Sequence, residues 1–426
     1  MIRIYPDGEL SDFELLYRNE PKFDVAGVVA DILADVRENG DRAVLKYTEK
    51  FDGAKLSTMR VSEEELAEAM AETEPEFLDT LRLAERNIRE YHEKQLRTSF
   101  FFTRPGGVVM GQKVLPIARA GLYVPGGTAP YPSPVMMDAV PAKIAGCPEI
   151  IMCTPCGKDG KVNAAILAAA QIAGVTTVYK VGGAQAIAAM AYGTQTIPKV
   201  DKITGPGNIF VALAKKACFG VTGIDSVAGP SEILVIADST ANPRFVAADL
   251  LSQAEHDPMA SAILLTTDAE LAAAVSEEID GFLNTLSRAE IIRKSLDDYG
   301  YIFIGDTMDD LVEAANTIAS EHLEIITSDP YEVMTKIRNA GAIFLGSYSS
   351  EPLGDYFAGP NHILPTNGTA RFFSPLGVDD FIKKSSIISY SKQALRAVHK
   401  DIERFALSEG LTAHANSIAV RFEGEE

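Results

Sequence analysis

Gln253 and His256 stand three residues apart in LLSQAEHDP (residues 250–258), at the end of a stretch that opens with Asn242 and Pro243. An asparagine able to cap with its side chain, followed by a ring already at helical φ, starts a helix, and Asp257 before Pro258 stops it. The helix then covers about 243 to 256, and residues three apart share a face, so both side chains project together near its C-terminus. Imidazole with carboxylate is a ligand set suited to zinc. An amide oxygen is a weak ligand, and polar pairs at this spacing are common on helix surfaces, so the pair alone does not establish a metal.

Three further groups have the types such a site needs. His322 follows Glu321 at a helix-to-strand turn, His414 lies in the C-terminal tail, and Asp355 falls in a long connection. At the turn Glu321 and His322 can both point into a cleft, one as a base for an alcohol proton and the other as a carboxylate that activates water; from spacing alone a cap or an ion pair is the commoner reason for such a pair. AGPSE, which opens the βα unit leading to Gln253, can present Ser231 toward a ligand. His92 and His399 lie in polar helical stretches and read as solvated. Cys153 and Cys156 form a C-x-x-C just past a strand, but a zinc ribbon needs a second pair and a redox motif other flanks, so free thiols are the reading.

The elements that must position these groups alternate. Residues 24 to 100 read as packing helices. From about residue 114 strands and helices alternate with short Gly-rich turns: GLYVPGG, a helix from Ser133, EIIMCT, NAAILAAAQIAG, TTVYKV, AQAIAAMAYG, VDKITGPG and NIFVALAKKACFG. Such doubly wound parallel sheets bind ligands beyond the carboxyl ends of their strands, where the turns hold Tyr123, Gly126, Gly127, Gln185 and Asn208. A G-x-G-x-x-G fingerprint is missing; GPGN and VGGAQ each suit a helix N-terminus that receives a phosphate, or a tight turn. A second alternating block runs from SEILVIAD through YIFIG, a helix over 308–320, LEIIT and AIFLG. Residues 346–368 form a long aperiodic connection whose aromatic and apolar residues point to a functional loop. The tail reads as a helix, a stop at Gly410 and a short helix capped by Thr412.

The bulk composition narrows the partners. With 426 residues and 46% hydrophobic content the chain is of globular type and long enough for two or three domains. Its 39 basic and 59 acidic residues leave a net charge of -20, which repels nucleic-acid backbones and anionic lipid. An anionic substrate is disfavoured too, unless the site is locally positive or carries a metal. Without a signal-like N-terminus or an apolar run near the ~18 residues of a membrane span, a cytoplasmic protein is expected. Four cysteines cannot build a disulfide framework.

GLYVPGG, TGPGN, AGPSEILVIAD, DLLSQAEHDP, EHLEI, GDYFAGPNHILPT and EGLTAHANSI resemble the histidinol dehydrogenase family, in the family's order and across almost the whole chain. The resemblance implies an α/β fold of two incomplete, doubly wound Rossmann-like domains with a helical N-terminal region and a small C-terminal extension exchanged in a dimer. Carried onto this chain, it implies an N-terminal extension over 1–22, a first Rossmann-like domain over 23–113 plus 233–374, a second, NAD-binding one over 114–232, and a C-terminal dimerisation segment over 375–426.

The same resemblance implies the last step of histidine biosynthesis: oxidation of L-histidinol through L-histidinal to L-histidine, with reduction of two NAD. One zinc per site is implied on Gln253, His256, Asp355 and His414. Substrate contacts fall on Ser231, Gln253, His256, His322, Asp355, Glu409 and His414, and NAD contacts on Tyr123, Gln185 and Asn208. Glu321 and His322 become the catalytic pair, and Glu409 and His414 complete the site of the other chain in a homodimer. Cys156 departs from the commoner family residue, which leaves the ligand set intact but adds a thiol open to oxidation. Two other readings compete: a zinc hydrolase with Glu321 as base, which has no use for NAD, and a non-catalytic nucleotide-binding protein, which predicts lost site residues.

Overall fold

EILVIA and SAILLT are continuous apolar runs, the pattern of strands covered on both faces, and in the computed structural model they lie side by side at the middle of a sheet. The structure describes residues 2–5, 25–126 and 131–424, so Gly127 and most of the 1–22 extension lie outside the described residues. The chain divides into two units, Met1–Gln95 with Ile117–Phe381 and Leu96–Pro116 with Ile382–Glu426.

The first unit holds two parallel sheets. Its helices α1 (Val25–Asn39), α2 (Asp41–Asp52), α3 (Glu63–Glu72) and α4 (Pro75–Glu93) precede a five-stranded sheet. In chain order this sheet runs β4 (Arg119–Tyr123), α5 (Pro132–Ala145), β5 (Glu149–Thr154), α6 (Ala164–Ala173), β6 (Thr177–Lys180), α7 (Gly183–Tyr192), β7 (Lys202–Thr204), α8 (Ile209–Cys218) and β8 (Gly223–Ile224), and its strand order is β6-β5-β4-β7-β8. Alternate residues face opposite layers. Leu122, Ile150 and Met152 pack with Met136 of α5, Leu167 of α6 and Ile88 of α4, whereas Tyr123, Ile151 and Cys153 pack with Ile187 of α7, Val211 of α8 and Val36 of α1.

The six-stranded sheet has the order β1-β11-β10-β9-β12-β13 and is parallel throughout. Its elements are β1 (Arg3–Tyr5), β9 (Glu232–Ala237), α9 (Pro243–Ala254), β10 (Ser261–Thr266), α10 (Ala269–Phe282), α11 (Ala289–Tyr299), β11 (Gly300–Ile304), α12 (Met308–Ile318), β12 (His322–Ile326), α13 (Pro330–Lys336), β13 (Ala342–Leu345) and α14 (Glu351–Tyr356). Ile233 and Val235 face α9, α10 and α11; Leu234 and Ile236 face α12 and α13.

The second unit is an antiparallel sheet in the order β14-β3-β2, made of β2 (Phe100–Arg104), β3 (Val108–Pro116) and β14 (Ile382–Ser389), followed by α15 (Lys392–Ser408) and α16 (Thr412–Ala419). No helix among the described residues is long and apolar enough to cross a membrane.

Several sequence expectations are corrected. His92 is buried, not solvated. Its charged sequence neighbours lie on the other face of α4, while Leu81, Ala84, Ile88 and His92 recur every three or four residues and face the core, where Nδ1 meets the Ile88 carbonyl oxygen at 2.8 Å. Thr412 is the first residue of α16 and not its cap; Leu411 holds the cap position with no side-chain bond, just after Gly410 at φ 74°. The connection 346–368 is not uniformly aperiodic, because it contains α14, a six-residue helix too short to show a hydrophobic period. Helix α9 ends at Ala254, and His256 lies in the turn beyond it, its N–H donating to the Gln253 carbonyl at 3.1 Å.

Candidate active site

Helix α12 is closed by Ala319, the residue after its end, which takes the left-handed conformation at φ 54°, and the chain turns through Ser320 and Glu321 into β12. Ser320 Oγ donates to the His322 carbonyl at 2.8 Å. A Cβ at Gly341 would come within 2.4 Å of the Glu321 carbonyl oxygen, so only glycine lets the following strand pass this turn so closely. His322 is buried, with Nδ1 3.0 Å from the carbonyl oxygen of Glu232, while Glu321 Oε2 accepts the Glu232 N–H at 2.9 Å. The start of β9 therefore orients both residues, as a main-chain partner fixes an imidazole ring and leaves its other nitrogen free to act.

That other nitrogen, His322 Nε2, lies 3.7 Å from Asp355 Oδ1 on α14. One turn earlier on the same helix, Glu351 Oε1 lies 4.0 Å from His256 Nε2. His256, Glu351 and Asp355 each offer a ligand atom, and these atoms lie within 4.8 Å of one another. Gln253, on the helix that leads to His256, is fully buried, and neither its Oε1 nor its Nε2 has a hydrogen-bond partner among the described residues. A buried amide with no partner costs about 1–3 kcal/mol, so its retention fits a cation that the amide oxygen meets. The nitrogen and oxygen donors suit zinc.

The electrostatics are those of a cluster short of positive charge. Burial raises the Glu321 carboxyl to about 8, only partly offset by His322 and the Glu232 N–H. Burial opposes a charge on His322, but Glu321, Asp355 and Glu351 outweigh it and lift the ring to about 10. Asp355 is desolvated too, yet the nearby His322, His362 and His256 hold it below the usual carboxylate range.

Two groups here escaped the sequence reading. Glu351 is four residues before Asp355, a spacing that places both on one helix face, but α14 was not seen as a helix. His362 follows Asn361, its Nε2 is buried without a hydrogen-bond partner among the described residues, and its electrostatic neighbours are Asp355, His322 and His256; burial keeps it neutral. Ser231 precedes β9, its carbonyl accepting the Ser261 N–H at 3.0 Å. Glu409 and His414 are exposed residues of the second unit, at the end of α15 and in α16.

The site occupies the amino ends of β9 and β12 and the C-terminus of α9, the opposite end of the strands from the one used by doubly wound folds. In the five-stranded sheet the strand order reverses between β4 and β7; Tyr123 is the last residue of β4, and Gln185 and Asn208 follow the carboxyl ends of β6 and β7. The Tyr123 hydroxyl accepts the Gly183 N–H at 3.0 Å; Gln185 is buried near the start of α7 with Oε1 unpartnered among the described residues; Asn208 Oδ1 caps α8 by accepting from Phe210 and Val211. Between them Gly205, at φ 110°, donates to Asp225 Oδ2 and accepts from Lys215 Nζ, each at 2.8 Å, and has no space for a Cβ beside the Tyr123 carbonyl.

All four cysteines are free. Burial pushes Cys156 up to about 11 and Cys153 higher still, so neither presents a thiolate nucleophile near neutral pH, and the sensitivity expected of Cys156 is small.

Two parallel α/β sheets, one of them bearing a histidine, carboxylate and amide cluster suited to a metal, fit an oxidoreductase. The relatives agree. The histidinol dehydrogenase family profile matches residues 17–422. Histidinol dehydrogenase of Clostridium acetobutylicum is 55% identical over 427 residues, 99% of each chain, and that of Bacillus licheniformis 56% identical over 398 residues, 93% of each. The crystal structure of histidinol dehydrogenase from Elizabethkingia anophelis superposes with a TM-score of 0.94 at 39% identity, covering 99% of this chain and 98% of that one. The chain belongs to the histidinol dehydrogenase family, whose members are NAD-dependent oxidoreductases.

Proposed function

We propose that the protein oxidises L-histidinol through L-histidinal to L-histidine, reducing two NAD, as the last step of histidine biosynthesis in the cytoplasm. Family membership over nearly the whole chain carries this reading, and the convergence of His322, Asp355, Glu351 and His256 supports it. In the first half-reaction the carbinol loses a hydride to NAD and a proton to a base, giving aldehyde, NADH and H⁺. In the second, water adds to the aldehyde, and the hydrate loses a second hydride to NAD, giving carboxylate, NADH and two H⁺.

Gln253, His256 and Asp355, with His414 from a second chain, would hold one zinc. Such an ion would supply a fixed positive charge beside which the amine and imidazole of histidinol could bind. Beside that charge His322 binds its proton less tightly, and Nε2, turned away from the Glu232 carbonyl, takes the alcohol proton. Glu321, whose raised pKa suits a base working near neutral pH, takes a proton from the water that attacks the aldehyde. Ser231, Gln253, His256, His322, Asp355, Glu409 and His414 contact the substrate in this reading, and Tyr123, Gln185 and Asn208 hold NAD in the crevice of the five-stranded sheet.

Two incomplete Rossmann-like domains, over 23–113 plus 233–374 and over 114–232, and a dimerisation segment over 375–426 exchanged between chains complete the proposal. The second unit taken alone supports the exchange: Ile388 and Phe405 are 74% and 69% exposed, and Phe100, Phe101 and Leu407 are exposed as well, an apolar display that marks a contact surface.

The test is NADH absorbance with histidinol and zinc-loaded protein, before and after chelation. Two NADH per histidinol, lost with the metal and restored by zinc, are expected. No NAD reduction by the loaded protein overturns the reading.

A further inference from the structure

Strand β7 stops at Thr204, and the buried Gly205 that follows bonds its main chain to side chains instead of a neighbouring strand. Buried N–H and carbonyl groups need partners, and here two charged residues supply them. Asp225 Oδ2 accepts the Gly205 N–H, and Lys215 Nζ donates to the Gly205 carbonyl, each at 2.8 Å. Lys215 Nζ is also ion-paired with Asp225 Oδ1, which closes a ring around one residue. Lys215 lies in α8, the helix that this turn leads into, and reaches back toward its start because helical side chains tilt that way. Asp225 is the residue after β8, where its own N–H donates to the Ile203 carbonyl at 3.3 Å.

We propose that Lys215 and Asp225 are positioning residues that hold Gly205, and with it the turn leading to Asn208, in the shape that NAD meets; the inference rests on the reading that this crevice takes NAD. Their side chains are only 3% and 6% exposed. A pair so deeply buried adds little net stability, because the loss of hydration offsets the attraction, and apolar replacements of both partners are often neutral. The pair carries no net charge toward a ligand, so what it contributes is the placement of the main chain between its two ends. Gly205 has to be held, because at φ 110° its α-carbon abuts β4, where a Cβ would fall 2.1 Å from the Tyr123 carbonyl oxygen. Little freedom remains between Gly205 and Asn208: the ring of Pro206 fixes its own φ, and a Cβ at Gly207 would fall 2.4 Å from Val211 Cγ1.

Lys215→Met/Asp225→Leu removes both bonds to Gly205 and leaves no lone buried charge. In that variant NADH affinity, titrated by nucleotide fluorescence, should fall about 10-fold or more, as when a binding group is displaced by about an ångström. Zinc affinity, measured by competition with a chromogenic chelator, should stay at the wild-type value, since the ligand cluster belongs to the other sheet. The Gly205 amide of the nucleotide-free protein should lose protection in hydrogen exchange. Lys215→Met/Asp225→Asn keeps an acceptor for the Gly205 N–H, so it should recover that protection and part of the NADH affinity; it decides the question if the leucine variant does not fold. Wild-type NADH affinity in either folded variant overturns the proposal, as does a protected Gly205 amide in the leucine variant. An equal loss of zinc and NADH binding also overturns it, because that marks a merely structural pair. Should the wild-type protein bind no NADH, the NAD reading fails instead, and exchange at Gly205 alone decides whether the pair holds the turn.

Discussion

His322 Nδ1 lies 3.0 Å from the carbonyl oxygen of Glu232, and that contact decides which ring nitrogen works. A carbonyl can only accept, so Nδ1 keeps its hydrogen and Nε2 is the one able to take a proton. His322→Ala should therefore slow the first hydride transfer by ~10² or more, seen in single-turnover NADH formation, with the protein still folded. An unchanged rate removes His322 from the role of base.

Acidity should act on the second half-reaction through Glu321. With its carboxyl held at about 8 by burial, the ionised form that attacks water's proton grows as pH rises toward and past that value. Histidinal oxidation should accelerate over the same range, and Glu321→Gln should abolish the rise together with most of the activity. A profile unchanged in Glu321→Gln would assign the water activation elsewhere.

Stability should depend on pH in the opposite sense. Glu321 is raised from 4.5 to about 8 and His322 from 6.5 to about 10. Both bind protons more tightly folded than unfolded, so the stability they confer is present in full at low pH. It is lost as pH rises, between about 4.5 and 8 for the carboxyl and about 6.5 and 10 for the ring. The melting temperature of the metal-free protein should fall across this span, and less steeply in Glu321→Gln.

Gln253 should separate metal binding from folding. Replacing a buried amide that has no partner removes a desolvation cost, so Gln253→Leu should melt no lower than wild type without metal. Added zinc should stabilise it much less than it stabilises wild type. Equal zinc stabilisation of the two proteins would take Gln253 out of the ligand set.

Mixing chains tests the exchange of the tail. His256→Ala and His414→Ala homodimers should each be inactive, and their heterodimer should regain one working site in two. Verified heterodimers that stay inactive would mean that each site is built from a single chain.

Much of this was legible in the sequence, and the reasons differ by element. The strands of the two sheets announce themselves because burial on both faces leaves unbroken apolar runs such as EILVIA. The cap at Asn242 follows from short-range chemistry and appears as expected. His322 could be placed at its turn for the same reason. Glu351 and His362 were missed because their partners are distant in sequence, and a six-residue helix carries too few positions to reveal which of them share a face. His92 was misjudged from its neighbours along the chain, when its neighbours around α4 were the relevant ones. The end of the six-stranded sheet used by the site contradicts the usual rule for such folds, and spacing alone holds no record of it.

Phe344 limits how this pocket can be redesigned. Its ring centre is 6.1 Å from that of His322, and a methyl group added at Gly354 would fall 2.6 Å from its edge. The aromatic ring is wedged between His322 and the helix bearing Asp355. Variants meant to admit bulkier amino alcohols have to carve room elsewhere, because enlarging position 354 would shift the acid and tilt the imidazole in one stroke.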